Sequence, residues 1–186
     1  MMIYEELKKD HKKVLALLDQ LIASEKSGPD AWSALVQQIR DELVPHARSE
    51  EAILYNALRD LEPSKDTVGH AYSEHAQAEA VLRGLQLSDA LDLKWVGAVK
   101  QLRESLAHHI SEEETRVFSA ARAVFSDQEA TAMGEAFVQM KPRVREQSFA
   151  GNTMEMIANA LPARLRASVL RFVPEVDPRP AAGRGA

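Results

Sequence analysis

The sequence predicts an all-α fold, an antiparallel up-down four-helix bundle with additional C-terminal helices. Apolar residues recur at steps of three and four over four separate stretches, which is the mark of one buried helix face. Short breaks carrying Gly, Pro, Ser or Asp join those stretches, and short connections make long amphipathic helices antiparallel neighbours. Aromatic residues are only 5% of the chain, while Ala, Leu, Glu and Arg abound, a balance that favours helix over sheet.

The first stretch places Ile3, Leu7, His11, Val14, Leu18 and Ile22 on one face and stops at Ser27-Gly28-Pro29-Asp30, where Asp30 is the expected cap of the next helix. The second face reads Trp32, Leu35, Ile39, Leu43, His46, Glu50, Ile53 or Leu54, and Ala57 or Leu58. Pro45 removes a backbone donor inside it, so a bend is expected just before His46. Glu62-Pro63-Ser64-Lys65-Asp66 forms the second break. The third face carries Val68, Tyr72, His75, Glu79, Leu82 and Leu85. After Ser88-Asp89 the fourth carries Trp95, Val99, Leu102, Leu106, His109, Glu113, Val117, Ala120 and Val124. Ser126-Asp127-Gln128-Glu129 has the form of a capping box and starts a fifth helix expected to end near Lys141-Pro142. Residues 153–173 follow an amphipathic pattern, and the Pro/Gly-rich residues 174–186 are expected to be disordered. The chain thus divides into a bundle over 1–125, a helical extension over 126–173 and a tail over 174–186.

The bundle contains an internal repeat. Trp32 precedes His46 by 14 residues and Trp95 precedes His109 by 14; each His has Leu three before it and Glu four after it. His11 and His75 open the two copies. A pseudo-twofold pair of helical hairpins follows, each offering one His from its first helix and His-x-x-x-Glu from its second. Two such half-sites facing one another suit a dinuclear centre.

Residues four apart share a helix face, so His46 with Glu50, His75 with Glu79 and His109 with Glu113 all point inward. Buried carboxylates without partners are costly, and three of them beside four imidazoles call for cations. His70 and His108 lie off the apolar stripes and read as surface. The clusters Glu50-Glu51 and Glu112-Glu113-Glu114 read as solvated surface with one inward member each, and both tryptophans read as core.

Composition narrows the chemistry. Without cysteine, disulfides, thiolate zinc, iron–sulfur clusters and a Cys nucleophile are excluded. Imidazole and carboxylate ligands suit iron, manganese or zinc. Residues 142–186 hold seven Arg and four acids, a net of +3; the whole chain is −5, leaving −8 for residues 1–141. An acidic body gives no nucleic-acid footprint. The N-terminus lacks a signal-like or membrane-spanning apolar run, so cytoplasmic residence is expected.

With DH in the first helix, H-x-x-x-E-E in the second, EH in the third and H-x-x-x-E-E in the fourth, residues 1–125 resemble the hemerythrin-like HHE cation-binding domain family. The resemblance implies a non-haem di-iron site, oxo- or hydroxo-bridged with bridging carboxylates, and ligands at His11, His46, Glu50, His75, His109 and Glu113. Oxygen-carrying hemerythrins have a further histidine four residues before the third-helix ligand, where this chain has Ala71. Glu79 is the first candidate to fill that position, ahead of His70 and Glu74. A carboxylate there makes the site harder and favours ferric iron. The resemblance then implies sensing or handling of O₂, NO, peroxide or the iron and redox state. The alternatives are a catalase-like, peroxidase-like or oxidase enzyme, or a metal-gated module whose basic C-terminal extension binds a protein partner or a second copy. Tyr72, one turn before His75, is the candidate outer donor, with Tyr55 behind it.

Overall fold

The structure is a computed structural model, and it describes residues 1–24, 28–62, 64–88, 93–145 and 161–166. Four rods form the bundle. The first is α1 (Ile3–Ala23). The second is α2 (Pro29–Glu50), continued by a π-helical segment (Glu51–Tyr55) and one α-turn (Asn56–Leu58). The third is α3 (Lys65–Leu87). The fourth is α4 (Leu93–Glu112), continued by a second π-helical segment (Glu113–Val117) and a last α-stretch (Phe118–Val124). Each rod packs on the next, and the fourth closes on the first. The predicted bundle is the observed one.

Local chemistry sets the breaks. Gly28 is the residue before α2 and takes φ 87°, a conformation that favours glycine. Asp30 therefore sits in the first turn of α2, where its charge suits the helix dipole, rather than at the cap. At the second break the Ser64 hydroxyl donates to the carbonyls of Leu58 (2.9 Å) and Leu61 (2.7 Å), closing the end of the second rod. Pro45 lies inside α2 without ending it; the change of pitch falls at Glu51–Tyr55.

The Ser126 capping box forms as expected: Ser126 N donates to Glu129 Oε2 at 2.9 Å, and Glu129 N donates to Ser126 Oγ at 3.3 Å. It opens α5 (Asp127–Arg145), which runs through Pro142 to the last described residue of this stretch. This helix lies against α1 and α2. Gly134 permits the approach, since a Cβ there would collide with the carbonyl of Met1. Met133, Ala136, Phe137 and Met140 of α5 join Ile3, Leu7, Ile53 and Leu54 in one apolar cluster. The unbroken burial of Ala52 to Tyr55 follows, because α5 covers the side of α2 that a bare four-helix bundle leaves wet.

A second apolar cluster fills the opposite end, from Val14–Leu21 across Trp32, Ile39, Leu82 and Trp95 to Leu106. Trp32 and Trp95 stack there at 4.8 Å between ring centroids and 12° between planes. Each indole donates to a carbonyl at the end of the preceding helix, Trp32 to Ser24 and Trp95 to Leu85. The sequence repeat is thus a spatial one. The predicted amphipathic stretch 153–173 lies outside the described residues except for 161–166, which include a 3-10 turn at Ala163–Leu165. The tail 174–186 lies wholly outside them.

Candidate metal centre

Between the two apolar clusters lies a polar layer. His11 falls between Leu7 and Val14, His46 between Leu43 and Ala52, His75 between Ala71 and Ala78, and His109 between Leu106 and Val117, and the two residues of each pair belong to opposite clusters. All four imidazoles are buried, and Glu50 and Glu113 are 0% and 1% exposed. The layer is where the one-per-helix histidine pattern placed it.

Each imidazole has its Nδ1 against an outer carboxylate. His46 Nδ1 lies 3.3 Å from Asp10 Oδ2, and His109 Nδ1 lies 2.9 Å from Glu74 Oε2. His75 Nδ1 lies 3.1 Å from Glu51 Oε1, and His11 Nδ1 lies 3.0 Å from Glu114 Oε1. The set obeys the repeat. The acid before the first His of each hairpin holds the second His of that hairpin, and the acid after each buried Glu reaches across to the other hairpin.

An ionised carboxylate only accepts, so in the neutral form of each ring Nδ1 carries the proton and Nε2 turns a lone pair to the interior. There, His75 Nε2 and His109 Nε2 face each other at 3.0 Å. Glu50 Oε2 lies 3.6 Å from His46 Nε2 and 3.5 Å from His75 Nε2; Glu113 Oε2 lies 3.2 Å from His11 Nε2 and 3.7 Å from His109 Nε2. Among the described residues, no hydrogen bond satisfies either oxygen of Glu50 or Glu113, or His11 Nε2. Acceptors converge on acceptors. Among the described residues, Glu50, His75 and His109 bring three ligand atoms within 4.8 Å of one another.

The crowding appears in the acidities. Burial and the neighbouring charge of Glu113 push Glu50 well above the carboxylate range. Burial acts the same way on Glu113, but the Glu50 carboxyl and the His11 imidazole outweigh it and hold that group low. Burial, reinforced by the nearby His11, drops His46 to about 4 in spite of Asp10. Burial also opposes a charge on His11, yet Glu113 and Glu114 raise its pKa overall.

Several expectations need correction. Glu79 is not drawn into the cluster: its Oε2 accepts from Arg48 Nη2 at 2.7 Å. The reason is helix polarity. Four residues advance about 6 Å along a helix; from His46 and His109 that step leads toward the Tyr55 end. α3 runs the other way, so the same step from His75 leads toward the tryptophans. The α3 position level with Glu50 is Ala71, buried in apolar surroundings. His70 is exposed, and Glu74 serves His109 from outside. Glu51 and Glu114, read as surface, are outer partners. Asp10 was missed, although its place directly before a metal-type His was a signal.

The tyrosines exchange roles. Tyr72 donates to the Glu51 carbonyl at 3.2 Å and to Asn56 Oδ1 at 2.8 Å, bracing the π segment rather than a ring. Tyr55 stacks on His75 at 5.3 Å and 19°, fully buried, its hydroxyl without a hydrogen-bond partner. Burial and the carboxylates of Glu113 and Glu50 push its pKa well up. A π turn carries the fifth residue onward to the face of the first, and such turns gather at functional sites; Tyr55 is five after Glu50, as Phe118 is five after Glu113.

From α5, Lys141 Nζ lies 2.6 Å from Asp10 Oδ2, and Phe137 meets the His46 ring edge-on at 5.9 Å. His46 and Lys141 together hold Asp10 below its usual pKa against the opposing effect of burial. Between α3 and α4 a cavity of about 380 Å³ is lined by Glu74, Gln101, Leu102, His108 and His109, and another of about 360 Å³ lies beside α5, lined by Asp10, Phe137 and Lys141.

Comparison with known proteins agrees with the geometry. A DNA nickase of Nostoc sp. (strain PCC 7120 / SAG 25.82 / UTEX 2576) is 24% identical over 147 residues, 79% of this chain and 41% of the relative, so the chain spans about two-fifths of that protein's length. No solved structure matches the chain significantly. The family model of the hemerythrin HHE cation binding domain matches residues 2–121. The chain belongs to the hemerythrin HHE cation-binding domain family.

Proposed function

We propose that the bundle holds two non-haem iron ions and uses them to sense or handle a small oxidant, O₂, NO or peroxide. One observation carries the reading. A layer of Nε2 lone pairs and carboxylate oxygens, sealed by apolar clusters on both sides, contains unsatisfied acceptors that only bound cations or extra protons make tolerable. The donor set fits iron, and manganese or zinc take the same ligands.

In this reading His11, His46, His75 and His109 ligate through Nε2, and Glu50 and Glu113 ligate from the centre. Glu79 is not included, because Arg48 holds it. Bound iron supplies one-electron chemistry and an exchangeable coordination position. The protein does the rest. Asp10, Glu51, Glu74 and Glu114 fix each ring's tautomer and aim, as outer carboxylates of metal-bound histidines do. The apolar clusters limit water, and the groove between α3 and α4 gives a small molecule a path to His109. Tyr55 places a hydroxyl beside Glu50.

The test is elemental analysis with an absorption spectrum of aerobically purified protein. About two irons per chain and ferric bands in the near ultraviolet support the reading; a protein that neither contains nor takes up iron refutes it. Peroxide turnover faster than that of free iron would move the assignment to an enzyme. Nicking of supercoiled plasmid by the iron-loaded protein would move it toward the activity named for the Nostoc relative. No helix among the described residues is long and apolar enough to cross a membrane.

A further inference from the structure

A second group of ligand atoms lies on the outer surface of α3 and α4. His70 Nε2 is 3.4 Å from Glu74 Oε1 and 3.9 Å from Glu112 Oε2, and the three residues bring ligand atoms within 4.8 Å of one another. His108 Nε2 lies 3.7 Å from the same Glu112 oxygen. Both histidines are exposed, with 61% and 68% of their side chains accessible. An exposed His among acids is more often plain solvated surface than a site. Three features separate this group from that reading.

The first is spacing. A tetrahedral first-row cation with bonds of about 2.0–2.2 Å sets its ligands roughly 3.3–3.6 Å apart, so small side-chain rotations bring this group to ligating distance. The second is preorganisation. Each carboxylate has one oxygen fixed from behind, Glu74 Oε2 on His109 Nδ1 at 2.9 Å and Glu112 Oε1 on Arg116 Nη1 at 2.9 Å, and turns its other oxygen to His70. The third is position. Glu74 and His108 also line the groove that reaches His109, so the group adjoins it.

We propose that His70, Glu74 and Glu112, with His108 beside Glu112, form a second, exchangeable site for a divalent first-row cation next to the groove that reaches His109. Glu74 belongs to both places: one oxygen meets the outer cation while the other orients His109. The fully buried layer keeps its ions, whereas the outer site trades with solvent. Its existence does not depend on which ion fills the interior.

The experiment uses protein already loaded with iron, titrated with Co²⁺ at neutral pH and followed by calorimetry and by the visible absorption of bound cobalt. The wild-type chain is expected to take up one further equivalent of cobalt. The double variant His70→Ala/His108→Ala, altered only at exposed positions, should bind that equivalent about tenfold more weakly or worse while keeping its iron. Equal cobalt binding by the two proteins, or none by the wild type, overturns the proposal. So does loss of iron in the double variant, which would make these residues part of the interior centre.

Discussion

The two hairpins of the bundle hold matching buried histidines and glutamates in unlike surroundings. In the first, Asp10 behind His46 is clamped by Lys141, and Phe137 covers the His46 ring, because α5 lies across α1 and α2. In the second, Glu74 behind His109 faces a groove and an exposed histidine. Tyr55 of the first hairpin has Phe118 as its counterpart in the second, so the hydroxyl beside the layer belongs to one half alone. The repeat dictates where the buried histidines and glutamates stand, and the departures from it dictate what covers each half.

The largest effect should come from uncovering His46. Phe137→Ala removes a buried α5 ring that meets the His46 ring, at an expected cost of about 3–5 kcal/mol in urea unfolding. A cost below about 1 kcal/mol would show that α5 is merely appended to the bundle. Next, His46→Ala and His109→Ala each remove one ligand from one half. Each should lower iron content and drop the melting temperature of the iron-loaded protein by about 5–10 °C, the share of stability that tightly bound metal supplies. Similar losses support equal halves; retention of full iron by either variant breaks the comparison.

Smaller changes are expected from the outer carboxylates. Asp10→Ala and Glu74→Ala should each weaken iron binding about 10–100-fold by freeing the ring they orient. Competition with a chelator measures both, and an unchanged affinity in either variant removes the orienting role from that residue.

The smallest effect lies at the far side of α5. Arg164 holds the Glu129 carboxyl at about 2, helped by the backbone N–H of Ser126. Since the folded pKa is depressed, the stability that this pair contributes is full above about pH 4.5 and lost as pH falls toward 2. The Arg164 side chain is half exposed, so the contribution is modest. The stability difference between wild type and Arg164→Ala, read from urea midpoints, should shrink between pH 6 and pH 3; a difference that grows on acidification contradicts the assignment.

Helix periodicity made the four rods legible, and the matched Trp, His and Glu registers made the buried histidines and glutamates legible before any coordinates. What sequence could not reveal is what crosses between helices. Asp10 and Glu74 sit one residue, about 100°, from a ligand on their own helix, and only the neighbouring helix shows what they meet. Glu79 satisfied the four-residue rule and still missed the layer, because that rule ignores the direction in which a helix runs. The π segments at Glu51–Tyr55 and Glu113–Val117 have no composition signature, yet they bring Tyr55 beside Glu50. The fifth helix was read from its cap, but its place over His46 rests on Gly134 and on apolar packing that one-dimensional patterns do not report.

The central claim is that the inward Nε2 atoms and the two buried glutamates hold cations. Anomalous diffraction at the iron absorption edge from crystals of the iron-loaded protein tests it most directly. The account predicts two iron peaks inside the layer, each about 2.0–2.3 Å from Nε2 atoms and from Glu50 or Glu113 oxygens. Iron found only at the protein surface, or bound through Nδ1 with the outer carboxylates displaced, would contradict it.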